Sequence, residues 1–172
     1  GYDAEQLQER QSRHSEEILP LRESPAVSWI NVDGLHDVAL LETIGRHFHI
    51  HPLTLEDIAN SGHRPKAEEF DAYLFLVFKM LYYDEDRHHI ESEQVSLVLG
   101  SDFLVSLQER SGDVFDPVRE RLQKSKGRIR RSGCDYLAYA LIDAVVDHYF
   151  VVLEILGDKI ELLEDALLQS PE

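Results

Sequence analysis

Apolar residues recur at two different spacings along the chain, and these spacings predict strands in its middle and helices around them. Spacing of three or four residues predicts helices at 38–48, 52–59, 115–125 and 135–169. Short β-branched or continuously apolar runs predict strands at 26–32, 72–82, 93–99 and 102–108. The run at 72–82 is almost entirely apolar, which is typical of a central strand covered on both faces. Leu7, Ile18 and Leu19 show only weak helical spacing before Pro20.

This order of elements predicts an α+β fold. Helices before and after a mixed, largely antiparallel sheet form an α/β/α sandwich, here with a long C-terminal helix of ~50 Å. The apolar stretch at 137–156 contains Asp143, Asp147 and Glu154, and such charges favour a core helix over a membrane span. The length of 172 residues predicts a single soluble domain over residues 1–172.

The charge balance excludes several kinds of partner. The chain holds 33 acidic against 17 basic residues, a formal net charge of -16. Nucleic acid and anionic lipid both require clustered Lys and Arg, so cations or basic protein surfaces are the expected partners. Cys134 is the single cysteine, which leaves no disulfide framework and no thiolate metal cage.

The predicted long helix carries an acidic stripe. At 100° per residue, six carboxylates fall within a sector of ~60°, namely Asp143, Asp147, Glu154, Asp158, Glu161 and Asp165. The opposite arc is apolar and is predicted to face the core at Val145, Val146, Tyr149, Leu153, Leu156, Ile160, Leu163 and Leu167. Because like charges at this spacing repel, the stripe is either a solvated face or a surface neutralised by cations or a basic neighbour.

A second acidic pair, Glu56 and Asp57, lies in the predicted helix that starts at Pro52. One interpretation is helix capping, since residues 54–57 resemble a capping box with Asp in place of Glu. The other is metal binding, because Mg²⁺ prefers oxygen ligands and often takes one or two carboxylates while keeping several waters. Glu56 and Asp57 facing Asp143 would form such a site.

Other candidate chemistry is weaker. His47, His49 and His51 alternate with apolar residues and are predicted to lie on the surface or at helix ends rather than to bind zinc. Residues 115–131 hold seven basic against two acidic residues, which predicts a solvated face or an intramolecular partner for the acidic helices. Phosphate-binding loops, GxSxG and HExxH are absent from the sequence, so we expect the protein not to be an enzyme.

Several segments together carry a family resemblance. They are WINV at 29–32, HPLTLEDI at 51–58, RPK at 64–66, ESEQVSL at 91–97, GDVFDPVRER at 112–121, and stretches 135–143 and 146–150. In this order they resemble the cytosolic amino-terminal domain of the CorA family of magnesium and cobalt ion channels. The resemblance covers roughly residues 26–170.

The resemblance implies a homopentameric channel, with each subunit giving a cytosolic α/β/α domain, a stalk helix and two membrane helices. The chain would then lie at the cytoplasmic face of the cell membrane, with its stalk and membrane helices beyond residue 172. Mg²⁺, or Co²⁺ or another divalent cation, would bind between neighbouring cytosolic domains and hold the pore closed. The implied metal ligands are Glu56, Asp57 and Asp143, joined by a further carboxylate on the stalk.

Two alternative functions stay open at this point. The first is a Mg²⁺-dependent hydrolase that uses the acidic groups to hold the metal at a phosphate. The second is an assembly module whose acidic stripe binds a basic partner without sensing ions.

Overall fold

The computed structural model of the protein describes residues 1–11 and 26–169. Its strands are β1 (Ser28–Asp33), β2 (Lys66–Glu69), β3 (Leu74–Asp84), β4 (His89–Leu99) and β5 (Phe103–Gln108). Its α-helices are α1 (Val38–Phe48), α2 (Pro52–Ala59), α3 (Asp116–Gln123) and α4 (Cys134–Gln169), with a 3-10 turn at Ile129–Arg131. Of the residues with weak helical spacing, Leu7 forms an isolated antiparallel bridge with Tyr2, while Ile18 and Leu19 lie outside the described residues.

The strands form one mixed sheet in the order β1-β5-β4-β3-β2. Only β1 and β5 pair in parallel, and the other three pairs are antiparallel. The predicted α+β class and the mixed, largely antiparallel sheet are therefore confirmed. The run predicted to be a central strand covered on both faces is the interior strand β3, which pairs with β2 and β4, although β4 and not β3 holds the middle position.

Each face of the sheet carries its own apolar core. Along β3, Phe75 and Val77 point into a core shared with α1 and α2. Met80 points to the opposite face, into a core shared with α3 and α4. Side chains alternate between the two faces of a strand, so an apolar run supplies both cores. The two cores make the molecule the predicted α/β/α sandwich.

Helices α1 and α2 have the bounds that the sequence pattern predicts, and histidines lie at their junction. Asp37 caps α1, since its carboxylate accepts the N–H of Leu40 at 3.0 Å. His49 ends α1 in the left-handed conformation with φ of 55°. His51 then caps α2, with its Nδ1 accepting the N–H of Leu53 at 3.2 Å. The predicted helix-end positions of these two histidines are confirmed.

Helix α4 is longer than the sheet that it crosses. Its 36 residues extend over ~54 Å, whereas the 11 residues of β3 extend over ~36 Å. None of its described residues beyond Val152 is buried.

The prediction that the whole apolar arc of α4 faces the core was therefore wrong. Val145 is buried, but five members of the arc are exposed, namely Val146, Leu153, Ile160, Leu163 and Leu167. Periodicity identifies an apolar face, but it does not show how much of that face the rest of the chain covers.

Three side-chain contacts attach the middle of α4 to β3 and the turn after it. The hydroxyl of Tyr149 donates to the backbone carbonyl of Lys79. Farther along, the ammonium of Lys159 lies 3.1 Å from Glu85 Oε2 and 5.0 Å from the ring centroid of Tyr83. No helix within the described ranges combines the length and the apolar character needed to cross a bilayer.

Asp113, just before α3, forms a buried ion pair with Arg119 of α3 and accepts a hydrogen bond from β1. The side chain of Asp113 is only 4% exposed, and its Oδ1 accepts from Arg119 at 2.6 Å and from the N–H of Phe115 at 2.9 Å. Its Oδ2 accepts from the Asn31 amide on β1 at 3.0 Å. The guanidinium of Arg119 also lies 5.4 Å from the ring centroid of Trp29. Asp113 thus holds three separate segments together.

We predict that Asp113→Asn lowers the free energy of unfolding by about 1–3 kcal/mol, because it weakens charge-assisted hydrogen bonds in a buried place. Urea denaturation measures the change. Asp116→Asn is the matched control, since Asp116 pairs with the same Arg119 but its side chain is 88% exposed. The control should lose less than about 1 kcal/mol. Equal losses of unfolding free energy in both variants would contradict the stabilising role of the buried Asp113 carboxylate.

The same pair sets a pH dependence. Burial alone would raise the pKa of Asp113, but Arg119 and the Phe115 N–H hold it below its usual value. The stabilisation is therefore complete above the unfolded-state pKa of about 3.9 and is lost as the pH falls through the folded-state value. The difference between wild type and Asp113→Asn should shrink in that range.

Candidate functional site

Tyr73 fixes the first turn of α2 against the sheet. Its hydroxyl lies 2.9 Å from Thr54 Oγ1 and accepts the N–H of His51 at 3.1 Å. Thr54 is buried, and Ile58 one turn later is fully buried in the core of this face. The apolar side of α2 thus points inwards, and its acidic residues lie on the outer side or at its edge.

Gln94 on the central strand β4 fixes the other end of α2. Its side chain is fully sequestered, with a relative exposure of 1%. Its Nε2 donates to the backbone carbonyl of Asp57 at 3.1 Å, and its Oε1 accepts the N–H of His63 at 3.1 Å. One buried amide therefore holds both Asp57 and the loop that follows α2.

The carboxylate of Asp57 is half-buried and already has two basic neighbours. The ammonium of Lys66 on β2 donates to Oδ2 at 2.6 Å. His63 Nε2 lies 3.2 Å from Oδ1. Lys66 also donates to Glu68 Oε1 at 2.9 Å. Asp57 is therefore held in place and partly neutralised by its own chain.

Glu56 has a different environment from Asp57. Its side chain is exposed and makes no hydrogen bond or ion pair with the residues that the structure describes. The capping interpretation of this acidic pair was wrong. Helix α2 begins at Pro52 and is capped by His51, so Glu56 and Asp57 lie beyond its first turn, which contains no acidic residue.

Asp143 lies half-buried on α4, on the opposite side of the sheet from α2. It makes no hydrogen bond or ion pair within residues 1–11 and 26–169. Across the same ranges, no group of three or more His, Cys, Asp or Glu side chains is placed to hold a metal ion. A single chain therefore does not bring Asp143 together with Glu56 and Asp57.

The acidic stripe of α4 faces solvent along most of its length. Asp147, Glu154, Asp158, Glu161 and Asp165 are all exposed. In the described part of the chain, no Lys or Arg forms an ion pair with any of the six stripe carboxylates.

The basic segment 115–131 pairs locally instead. Lys124 and Lys126 contact Glu120. Arg130 donates to the carbonyl of Leu122, and Arg121 donates to the hydroxyl of Tyr136. Four of its seven basic side chains are exposed and three are half-buried, so the predicted solvated face is confirmed. The alternative, an intramolecular partner for the acidic helices, is not found, since within the described residues none of these side chains forms an ion pair with a carboxylate of α2 or α4.

The sequence patterns did not identify Lys66, His63 or Gln94 as members of the site. Lys66 and His63 follow Asp57 by nine and six residues, and a cation soon after an acidic pair is a weak signal. Gln94 lies 37 residues from Asp57, and the packing of α2 on the face of the sheet brings the two together. No local sequence signal marks Gln94, because the residues just before it in β4 are also polar.

The carboxylates of the candidate site are suitable ligands for a hard divalent cation. Glu56, Asp57 and Asp143 offer carboxylate oxygens, which Mg²⁺ prefers. Two of the three carboxylates have no partner in the described chain. Each surface alone presents one or two ligands, so an ion that used all three would have to lie between two chains.

Comparisons with known proteins agree with the fold. Residues 24–172 match the family model described as CorA-like Mg2+ transporter protein. The chain is 48% identical over 172 residues to the cobalt/magnesium transport protein CorA of Thermotoga maritima, covering 100% of this chain and 49% of that protein. The chain thus spans about half the length of this relative.

Two solved structures share the architecture. The soluble domain of CorA from Methanocaldococcus jannaschii matches with a TM-score of 0.68 and 18% identity over 84% of this chain and 56% of that one. The complete CorA magnesium transporter from the same organism matches with a TM-score of 0.63 and 20% identity over 82% of this chain and 44% of that one. At these identities the likeness concerns the fold.

We predict that Gln94→Leu lowers the free energy of unfolding by about 1–3 kcal/mol, because the Asp57 carbonyl and the His63 N–H lose their buried partner. Chemical denaturation measures the loss. Ser96→Ala is the matched control, since Ser96 lies on the same strand and its buried hydroxyl has no hydrogen-bond partner among the described residues. The control should be neutral or stabilising. A neutral Gln94→Leu would show that Gln94 does not hold α2.

Proposed function

The chain belongs to the CorA-like Mg2+ transporter family, and from this premise we propose that it is the cytosolic cation-sensing and gating part of a magnesium and cobalt transport channel. On this proposal, residues 1–172 form one domain at the cytoplasmic face of the membrane. The transport pore belongs to a part of the subunit that follows this domain. The acidic residues bind a cation and do not catalyse a reaction.

The observation that carries the proposal is the separation of the carboxylates. Asp57 and Glu56 lie on the α2 side of the sheet, and Asp143 lies on the α4 side. A copy of the chain that places its α4 against the α2 of its neighbour would bring the two sets together. Each subunit of a closed ring, such as a pentamer, presents both sides once, so every interface would contain one complete set.

The exposed end of α4 supports assembly through a surface that extends beyond the carboxylate site. Leu153, Ile160, Leu163 and Leu167 form an uncovered apolar arc, and Leu163 is 65% exposed. Contiguous exposed apolar residues mark protein-binding surfaces. On the proposal, this arc is covered by the stalk or by a neighbouring subunit in the assembled channel.

The proposed gating follows from the thermodynamic linkage between ion binding and the arrangement of the subunits. An ion held between two subunits stabilises only the arrangement that brings both sets of carboxylates together. When the ion leaves, like charges face each other and the subunits separate or shift. Because Mg²⁺ keeps several waters and uses few carboxylates, its affinity is modest, which suits a sensor of an abundant ion. The Mg²⁺-bound arrangement is the closed state.

We predict that millimolar Mg²⁺ raises the melting temperature of the assembled full-length subunit, because ligand binding stabilises the form that binds it. Asp57→Asn and Asp143→Asn should each remove most of this rise. Differential scanning fluorimetry in detergent, with EDTA or MgCl2 at equal ionic strength, measures the effect.

Asp165→Asn is the control for this experiment. Asp165 lies on the same acidic stripe as Asp143, about 33 Å farther along the helix, so its loss should leave the Mg²⁺ response unchanged. A response that survives in both Asp57→Asn and Asp143→Asn would refute the site. Mg²⁺-independent assembly with no response in wild type would support an acidic assembly module instead.

We also predict that the coding sequence continues beyond Glu172. It should encode two apolar runs of about 20 residues, long enough to cross a bilayer. The resemblance to the CorA family further implies a Gly-Met-Asn signature beside the first run. Sequencing the gene through its stop codon tests this. A stop codon without such runs would contradict a channel subunit.

A further inference from the structure

Lys66 is the basic residue in closest contact with the proposed ligand Asp57. It is the first residue of the edge strand β2 and pairs with Val77 of β3, so its backbone position is fixed by the sheet. Its side chain crosses towards α2, and its ammonium lies 5.5 Å from the ring centroid of Phe75. The Nζ–Oδ2 distance of 2.6 Å to Asp57 is that of a direct ion pair.

A divalent cation at Asp57 would meet this ammonium directly. Lys66 occupies Oδ2, and His63 lies next to Oδ1, so both carboxylate oxygens already have basic neighbours. Two cations on one carboxylate repel each other. Ion binding at Asp57 is therefore an exchange of one cation for another and not an addition to an open ligand.

Glu68 provides a second position for the displaced ammonium. Its Oε1 lies 2.9 Å from Lys66 Nζ in the same structure. When Lys66 leaves Asp57, it keeps this partner, and the strand β2 need not move. A small rotation about the side-chain bonds of one lysine is sufficient for the exchange.

We propose that Lys66 is a tethered competitor for the divalent cation at Asp57 and that it sets the affinity of the sensor. This inference rests on the proposed function. The Lys66–Asp57 pair stabilises the ion-free form, so the ion must reach a higher concentration before it displaces the ammonium. The lysine thus determines the concentration range in which the sensor responds.

The charge of Lys66 supports competition at neutral pH. A lysine side chain with its ordinary pKa of about 10.4 is protonated throughout the physiological range, so the competing ammonium is present at all times.

The test measures the MgCl2 concentration that gives half of the rise in melting temperature, in the full-length subunit at constant ionic strength. Lys66→Met keeps an unbranched side chain over Phe75 but removes the charge. We expect its midpoint to fall roughly two- to fivefold, the range that corresponds to a partly exposed ion pair. Lys66→Arg keeps a cation beside Asp57, and its midpoint should stay within about twofold of wild type.

Lys79→Met is the matched control. Lys79 lies on the neighbouring strand β3, and its ammonium donates to the carbonyl of Ser61 at 2.8 Å instead of to a carboxylate. Its loss removes the same charge from the same face, so a general electrostatic effect would lower the midpoint in both variants. Competition at Asp57 predicts a lower midpoint in Lys66→Met alone.

The outcomes separate this inference from the proposed function. If wild type shows an Asp57-dependent Mg²⁺ response and Lys66→Met leaves the midpoint unchanged, Lys66 does not compete and the inference is overturned. A higher midpoint in Lys66→Met also overturns it, since Lys66 would then position Asp57 for the ion. If wild type shows no Asp57-dependent response, the proposed function fails and the inference fails with it. The melting temperature in EDTA shows whether each variant is folded.

Discussion

The sheet separates the two sets of carboxylates, and most other properties of the molecule follow from this separation. Because β3 and β4 supply apolar side chains to both faces, α2 and α4 must pack on opposite sides. Asp57 and Asp143 therefore lie on opposite sides of the sheet. In the proposed function, each side of the sheet supplies half of the ion ligands, and a second copy of the chain completes the site. On that proposal, the core that stabilises the monomer also makes ion binding a property of the assembly.

Buried polar anchors give the Asp57 half of the site its defined shape. Tyr73 and Gln94 bind backbone groups at the two ends of α2, and such partners are expensive to lose when they are buried. Lys66 then binds the Asp57 side chain itself. Buried hydrogen bonds hold the backbone around Asp57, whereas the charge balance at its carboxylate depends on one lysine side chain. On the proposed competition, Lys66 sets the affinity for the cation without any change in the position of α2.

Sequence patterns predicted helices and strands better than they predicted which residues surround a given side chain. The bounds of α1 and α2 follow from periodicity and from proline at the start of α2, because both signals are local. The edge strand β2 was missed, since its sequence KAEE lacks the β-branched residues that mark strands. Glu56, Asp57 and Asp143 were identified as carboxylates of interest, but their placement on opposite faces depends on tertiary packing. The contact between Gln94 and Asp57 likewise depends on the packing of α2 on the sheet.

The acidic stripe of α4 is a part of the negative charge that ion pairs within the described chain do not neutralise. The basic segment 115–131 pairs with its own neighbours, with Asp113 and with Tyr136, so it does not reach the stripe. The stripe also runs along the same helix as the exposed arc that contains Leu163. An apolar arc draws copies or segments together, while an acidic stripe repels a second stripe at short range. On one helix the two effects oppose each other, so the arc favours association and the stripe limits it. Asp143 differs from the other stripe carboxylates because it alone is half-buried, which is why the proposed ion site uses Asp143 and not the exposed remainder of the stripe.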